Sequence, residues 1–284
     1  MNGLKGVGAL EVTGALEQER AAFVTLLEQL SADEWASSTE CPAWTVKGIA
    51  LHVLGDDLSL LSRQRDQAQP AVFRNDAGEW AGSYRSLDEF NEHWVSTAEF
   101  FGTELIVELL RETGAWTLEW YTAVDPDALG EAVWFYSEDP TPYWMIAARE
   151  HWERWIHQNQ IRRATGRPLL DEEGLLKTVI GTVMRAFPHA FRALRVDDGM
   201  TVGVSVAELG DWTVQREHGA WRLYKGADDG ANVGLSVPRE SAVPLFSRGL
   251  TADEITHAVT VQGDSNIGGL IVGGFGAALA RTSG

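Results

Sequence analysis

The chain has 284 residues, of which 44% are hydrophobic and 23% charged, as expected for a globular protein with room for two domains. Its formal net charge of −18 argues against nucleic acids and anionic membrane surfaces as partners, because both are bound through basic patches. The single cysteine, Cys41, excludes an internal disulfide and any metal site built from several cysteines. We therefore expect no nucleic-acid partner and no membrane partner.

The N-terminal segment lacks the long apolar core of a signal peptide. No stretch of the sequence reaches the roughly 18 uncharged apolar residues that a membrane span needs, and the glycine-rich run 267–280 is only about 14 residues long. These features predict a cytoplasmic protein. The sequence leaves the oligomeric state open.

Helical periodicity predicts four main helices in the first part of the chain, over about 12–30, 45–66, 86–110 and 143–165. Ser31 to Glu34 and Ser86 to Glu89 have the pattern of capping boxes, and Thr45 is a suitable N-cap. Residues 68–84 lack periodicity and predict a long crossover, and residues 114–138 predict a helix, a turn and an aromatic-rich loop. The pattern is typical of a four-helix bundle, assigned to residues 1–167.

After Pro168 the periodicity changes. A helix over 175–194, bent or interrupted by Pro188, is followed by alternating segments that predict strands. These segments are 201–206, 211–215, 221–224, 231–237 and 259–262. Further helices are expected at 240–250 and at the small-residue end of the chain. Residues 168–284 are therefore predicted to form a separate, smaller α+β domain with a mainly antiparallel sheet.

Glu153 and His157 are four residues apart in the fourth predicted helix, which places their side chains on one face, one turn apart. A carboxylate and an imidazole so placed can chelate one divalent metal, and His52 on another helix is the candidate third ligand. The alternative is that Glu153 pairs with Arg149 or Arg154 and that His157 lies at the surface. The apolar residues around the pair make an unpaired carboxylate costly, which favours the metal.

Other catalytic motifs are absent from the sequence. It contains no Gly-x-Gly-x-x-Gly after a strand, no phosphate-binding loop with Gly-Lys-Ser/Thr and no Gly-x-Ser-x-Gly nucleophile elbow. Cys41 is followed by Pro42 and has no histidine close to it in sequence, which favours a packing role over nucleophilic catalysis.

Four segments resemble the mycothiol-dependent maleylpyruvate isomerase family, part of the DinB-like superfamily. Residues 40–55, ECPAWTVKGIALHVLG, resemble its CPGWTVRDVVAHLAG segment, and residues 153–168 resemble its E-x-x-x-H-x-x-D-x-R helix end. Residues 242–250 and 261–264 resemble the family's sterol-carrier-like second domain. Gln160 stands where the family motif has aspartate, so any charge which that aspartate supplies is absent here.

The resemblance implies a DinB-like four-helix bundle followed by a sterol-carrier-like α+β domain. It further implies that His52, Glu153 and His157 bind a divalent metal, usually Zn²⁺, and that mycothiol or a related thiol is the cosubstrate. The metal would lower the pKa of the thiol and so provide a thiolate at neutral pH. The family also depends on an arginine of the second domain that holds an anionic substrate, and Arg248 is the best-matching position. A surface charge at a helix end is an equally open interpretation of Arg248.

Three functions remain open at this point. The first is a metal-dependent enzyme that uses a low-molecular-weight thiol for isomerisation or S-transfer on a small electrophilic substrate. The second is a non-catalytic small-molecule or metal-binding protein on the same bundle. The third is a metal-dependent hydrolase, in which the metal would hold water. The sequence does not distinguish the substrate, the thiol or the metal.

Overall fold

The computed structural model describes residues 4–68 and 86–281. The α-helices are α1 (Thr13–Glu28), α2 (Ala32–Trp35), α3 (Val46–Leu60), α4 (Leu87–Ala98), α5 (Thr103–Ala123), α6 (Tyr143–Ala164), α7 (Glu173–Ala190), α8 (Arg239–Phe246), α9 (Ala252–Ala258) and α10 (Ser265–Leu279). The strands are β1 (Lys5–Gly6), β2 (Leu129–Ala132), β3 (Pro140–Pro142), β4 (Thr201–Val206), β5 (Gly210–Glu217), β6 (Ala220–Lys225), β7 (Val233–Val237) and β8 (Thr260–Gly263). The crossover predicted at 68–84 lies, apart from Ala68, outside the described residues.

The chain folds into two compact units. Of the described residues, a helical unit comprises 16–68, 86–125 and 160–168, and a sheet unit comprises 4–15, 126–159 and 169–281. Helix α6 begins in the sheet unit and ends in the helical unit. The domain division predicted between residues 167 and 168 remains a prediction.

The helical unit contains α1 to α5 and the end of α6. These helices contribute to an apolar core cluster that includes Phe23, Leu27, Ile49, Leu54, Ile106, Leu110 and Ile161. The N-terminus of α3 is capped by Thr45, whose hydroxyl accepts from Gly48 N at 3.3 Å. The capping box predicted at Ser31 and Glu34 is confirmed.

The single helix predicted over residues 86–110 is wrong. Helix α4 ends at Ala98, where the Phe101 amide closes a turn on the Ala98 carbonyl at 3.0 Å. Gly102 then adopts an extended conformation and serves as the N-cap of α5. The apolar residues on both sides of this break keep helical spacing, so periodicity alone runs through it.

A buried ion pair joins three helices of the helical unit. Arg20 on α1 donates from Nη1 and Nη2 to the two carboxylate oxygens of Asp57 on α3, at 2.7 and 2.9 Å. The hydroxyl of Thr113 on α5 donates to the same carboxylate at 2.7 Å, and Asp57 is fully buried. Gly114 leaves room for this arrangement, because a Cβ there would come within 2.8 Å of the Arg20 side chain. Removing either partner of such a pair is strongly destabilising, because the remaining charge would be buried without compensation.

The sheet unit contains a six-stranded mixed sheet with the order β1-β6-β5-β4-β7-β8. Among these described strands only β4 and β7 pair in parallel, which confirms the expectation of a mainly antiparallel sheet. His218 and Gly219, with φ of 49° and 78°, form the two-residue turn between β5 and β6. Two elements were not predicted: β1, which pairs with β6, and the short β2–β3 hairpin.

Replacing Asp57 with alanine is expected to lower the free energy of unfolding by about 3–5 kcal/mol, because the Arg20 guanidinium would lose its buried counter-charge. A matched control is Glu28→Ala, which removes a carboxylate paired with Arg111 where both side chains are 49% exposed. We expect the control to cost less than about 1 kcal/mol. Urea unfolding followed by circular dichroism measures both, and equal losses would contradict the role given to Asp57.

Candidate active site

Helix α6 is buried along most of its length, yet it carries many polar side chains. From Met145 to Ile161 every residue is buried except Arg149 and Glu153, which are partly exposed. The buried polar residues on this helix are Glu150, His151, Arg154, His157, Gln158, Asn159 and Gln160. A buried polar group without a hydrogen-bond partner is costly, so the partners of these side chains decide how the helix is held.

Glu150 is held as a carboxylate by its neighbours on α6. Arg154 donates from Nη1 to Glu150 at 2.7 Å, and Arg149 also bonds this carboxylate. Burial would raise the pKa of Glu150, but the two guanidinium groups outweigh it and hold the pKa below its usual value. Both arginines that the sequence offered as partners of Glu153 thus bond Glu150.

His151 lies in the apolar interior, with none of its side chain exposed. Within the described part of the chain neither ring nitrogen has a hydrogen-bond partner. Burial, together with the nearby Arg154 charge, lowers the pKa of His151 to about 3. The imidazole is therefore neutral at physiological pH and contributes packing.

Glu153 and Arg248 lie side by side in the sheet unit. The Arg248 Nη2 atom is 3.6 Å from Glu153 Oε1, and the guanidinium lies over the Trp152 ring, 5.5 Å from its centroid. Trp152 is anchored in turn, because its Nε1 donates to the Phe246 carbonyl at 2.9 Å. The structure thus brings together one predicted metal ligand and the predicted anion-binding arginine.

The local backbone explains how Arg248 reaches this position. It follows the C-cap of α8 and adopts φ of +56°, in the left-handed region that residues with a Cβ rarely adopt. Its amide bonds the Leu245 carbonyl at 3.3 Å, and the amide of Gly249 bonds the Pro244 carbonyl at 2.8 Å. Strain of this kind is tolerated where the surrounding structure fixes the residue.

His52 lies on α3, in the helical unit, and is 7% exposed. Its ring stacks on Trp44 with the centroids 4.5 Å apart and the planes 25° apart. Its Nε2 atom is 3.5 Å from an Asp56 carboxylate oxygen, one turn along the helix. A carboxylate beside an imidazole can fix the orientation of the ring. Asp56 was not predicted, although its spacing of four from His52 is visible in the sequence.

His157 follows Glu153 by one turn of α6 and is 7% exposed. The pair therefore has the face-sharing geometry that the sequence predicts. Among residues 4–68 and 86–281, no group of three or more His, Cys, Asp or Glu side chains is arranged to hold a metal ion. The ligand set of His52, Glu153 and His157 remains a prediction.

Gln160, at the position where the family motif has aspartate, lies beside the cysteine. The Cys41 thiol is 3.5 Å from Gln160 Oε1, and Cys41 packs against the core of the helical unit. The amide oxygen of glutamine can accept a weak hydrogen bond from a thiol. These contacts suit the packing role predicted for Cys41.

Residues 16–162 match the sequence model of the family described as "Mycothiol maleylpyruvate isomerase N-terminal domain". The match covers more than half of the chain. The chain belongs to this family. Its membership confirms the resemblance found in the segments at 40–55 and 153–168. Among curated proteins, none matches the chain in sequence.

Two crystal structures of mycothiol-dependent maleylpyruvate isomerase, one of them of a histidine-to-alanine mutant, are similar to this family member. Each has a TM-score of 0.53 and 12% sequence identity, and the comparison covers 88% of this chain and 91% of the other. At this identity the likeness concerns the fold: a helical N-terminal region followed by a mixed-sheet domain. Within the described residues, no helix has the length and apolar character needed to cross a membrane.

The acid sensitivity of this protein is expected to depend on His151. Because its folded-state pKa lies below the unfolded value of about 6.5, the unfolded chain binds a proton that the folded chain does not, and stability falls as the pH drops below 6.5 toward 3. Between pH 7.5 and pH 5 the wild type should lose about 2 kcal/mol more than His151→Leu. Urea unfolding at the two pH values measures this, and an identical pH dependence in both proteins would contradict it.

Proposed function

We propose that this protein is a thiol-dependent isomerase that uses mycothiol, or a closely related thiol, to isomerise a small anionic substrate with an electron-poor double bond. Its membership of the maleylpyruvate isomerase family supports an isomerase enzyme and makes a non-catalytic binding protein the weaker alternative. The chain has a net charge of −18, which repels anions. An anionic substrate therefore needs a specific cationic side chain to hold it.

The observation that carries this proposal is the contact between Arg248 and Glu153. At 3.6 Å the pair interacts electrostatically but is longer than an ordinary hydrogen bond, so the guanidinium is not fixed to Glu153. Arg248 Nε is buried and has no hydrogen-bond partner in the described part of the chain. A guanidinium has five N–H donors and suits a carboxylate that it can bind in bidentate fashion. Arg248 would thus hold the substrate carboxylate next to Glu153.

His52, Glu153 and His157 are the residues that would hold a divalent metal, in agreement with the ligand set implied by the family. Two imidazoles and a carboxylate are donors that zinc accepts, and the Asp56 carboxylate near His52 suits a histidine that serves as a ligand. Glu153 is one of the two partly exposed residues between Met145 and Ile161 on α6. A metal bound to it would therefore be open to a further ligand. When bound, the metal would supply a site at which a thiol loses its proton at neutral pH.

The proposed reaction requires no net change in atoms. The thiolate sulfur adds to one carbon of a double bond conjugated to a carbonyl group, and the displaced electron pair moves onto the carbonyl oxygen. The former double bond is now single and rotates. The electron pair then returns, the double bond reforms in the other geometry, and the thiolate is expelled. Arg248 would keep the carboxylate end of the substrate in place during the rotation.

The test is turnover of maleylpyruvate by purified protein, followed by proton NMR of the vinyl hydrogens, with and without mycothiol. We expect conversion only with both protein and thiol present. His157→Ala should reduce the rate by about a hundredfold or more, because the site loses a ligand. The matched control His257→Ala removes an exposed histidine of α9 and should leave the rate unchanged.

The same assay separates the other functions. A lasting thiol–substrate adduct would indicate S-transfer, and turnover without any thiol would indicate hydrolysis or another metal-assisted reaction.

Arg248→Gln should raise KM by about tenfold or more, since it removes the charge that holds the carboxylate. Arg239→Gln, at the other end of α8, should leave KM unchanged. An unaltered rate in His157→Ala would contradict the proposal.

A further inference from the structure

The sheet unit contains a cleft of about 650 Å³ that includes none of the four predicted site residues. Its volume falls in the range of ordinary small-molecule sites. It lies between the edge of the sheet at β1 and β6, helix α7 and the segment that leads into α6. The side chains that give it chemical character are four aromatic residues and two arginines: Tyr136, Trp144, Trp221, Tyr224, Arg185 and Arg222.

Arg185, on α7, is a buried cation at the wall of this cleft, with 9% of its surface exposed. Its Nε and Nη2 atoms donate to the Gly8 carbonyl at 3.2 and 2.6 Å, and Nη1 donates to the Gly181 carbonyl at 2.8 Å. Within the described part of the chain, no carboxylate lies within ion-pair distance of it. Three of its five N–H donors are used, so two remain available.

A buried charge without a counter-charge is costly. Burial lowers the pKa of Arg185, which shows that its environment disfavours the cation. The guanidinium carbon lies 5.7 Å from the centroid of the Trp144 ring, a contact that compensates part of this cost. A bound anion would provide the missing counter-charge.

Trp221 provides a second indication of a ligand. Its Nε1–H is buried and lacks an acceptor among the described residues. The ring itself is fixed, because it packs edge-on against Phe191 with centroids 5.3 Å apart. A buried donor without an acceptor is uncommon in a folded protein and calls for a partner that the chain does not supply.

The composition of the cleft points to a negatively charged, planar ligand. Its lining includes two arginines and no aspartate or glutamate, in a chain with a net charge of −18. Arg222 is largely exposed and pairs only at 3.5 Å with Glu217, so its charge can also act on the cleft. The aromatic side chains offer flat apolar walls to a ring system.

We propose that this cleft is a second binding site, separate from the catalytic residues, for a small aromatic carboxylate. The carboxylate binds Arg185 and accepts from Trp221 Nε1, while its ring lies among the aromatic walls. The proposal does not depend on the thiol reaction and goes beyond the proposed function.

The test is calorimetric binding of 1-naphthoate and of its uncharged analogue 1-naphthamide to the full-length protein. We expect the wild type to bind the acid at least about tenfold more tightly than the amide, because charge-assisted hydrogen bonds distinguish them. Arg185→Gln should remove most of this preference, and Arg222→Gln should reduce it about threefold. The matched control Arg195→Gln removes one positive charge at an exposed position outside the cleft. This variant should keep the wild-type preference for the acid over the amide.

Trp221→Phe keeps an aromatic wall but removes the Nε1–H donor, so it tests the site even if Arg185→Gln does not fold. It should weaken binding of the acid about fivefold and binding of the amide by less, because the amide carbonyl is a neutral and weaker acceptor. The proposal is overturned if the wild type fails to bind naphthoate at millimolar concentration or binds both compounds equally. It is also overturned if Arg195→Gln weakens binding as much as Arg222→Gln.

Discussion

Several buried polar side chains of α6 are satisfied by other protein groups in place of bulk water, and their bonds determine much of the surrounding structure. Asn159 donates to the Trp155 carbonyl at 3.1 Å and accepts from the Leu170 amide at 2.8 Å, while the Trp155 indole donates to the Leu170 carbonyl at 3.0 Å. Glu150 is matched by two arginines. Each of these bonds restricts rotation and sliding of the helix, because breaking it would leave a buried polar group unpaired. The accessible Glu153 is therefore held in a fixed place.

Two arginines, Arg248 and Arg185, are the side chains best placed to bind an anion in this acidic chain. In a chain with an excess of acidic residues, Arg248 and Arg185 both keep donors that no described side chain occupies. They differ in their surroundings: Arg248 lies beside a carboxylate and is partly exposed, whereas Arg185 is buried against backbone carbonyls. The first arrangement suits a substrate that enters and leaves. The second suits a ligand that compensates a permanently buried charge.

Local sequence signals predicted the elements that local interactions determine. The N-cap at Thr45, the capping box at Ser31 and the strand over 201–206 were all found where they were expected. The break at Gly102 was missed because the helical spacing of apolar residues continues across it. Strand β1 was missed because two residues carry no periodicity and pair with a strand more than two hundred residues away.

The candidate site could be predicted only in part, because sequence patterns report spacing within one element and not contacts between distant segments. Glu153 and His157 follow from a spacing within one helix, and the proximity of Arg248 agrees with the family resemblance. The fixed orientation of Arg248 depends on a left-handed backbone conformation and on the Trp152 ring, neither of which has a sequence pattern. The cleft around Arg185 combines segments from across the sheet unit, so no single stretch of sequence indicates it.

The most direct test of whether the site binds a thiolate is the number of protons released when mycothiol binds. Calorimetry in buffers of different ionisation enthalpy measures this number. A free thiol, with a pKa near 8.5, is mostly protonated at pH 7, so a site that binds the thiolate must release about one proton per thiol. We expect this release for the wild type and its loss in His157→Ala. Binding of the thiol without proton release in the wild type would show that the site does not bind a thiolate.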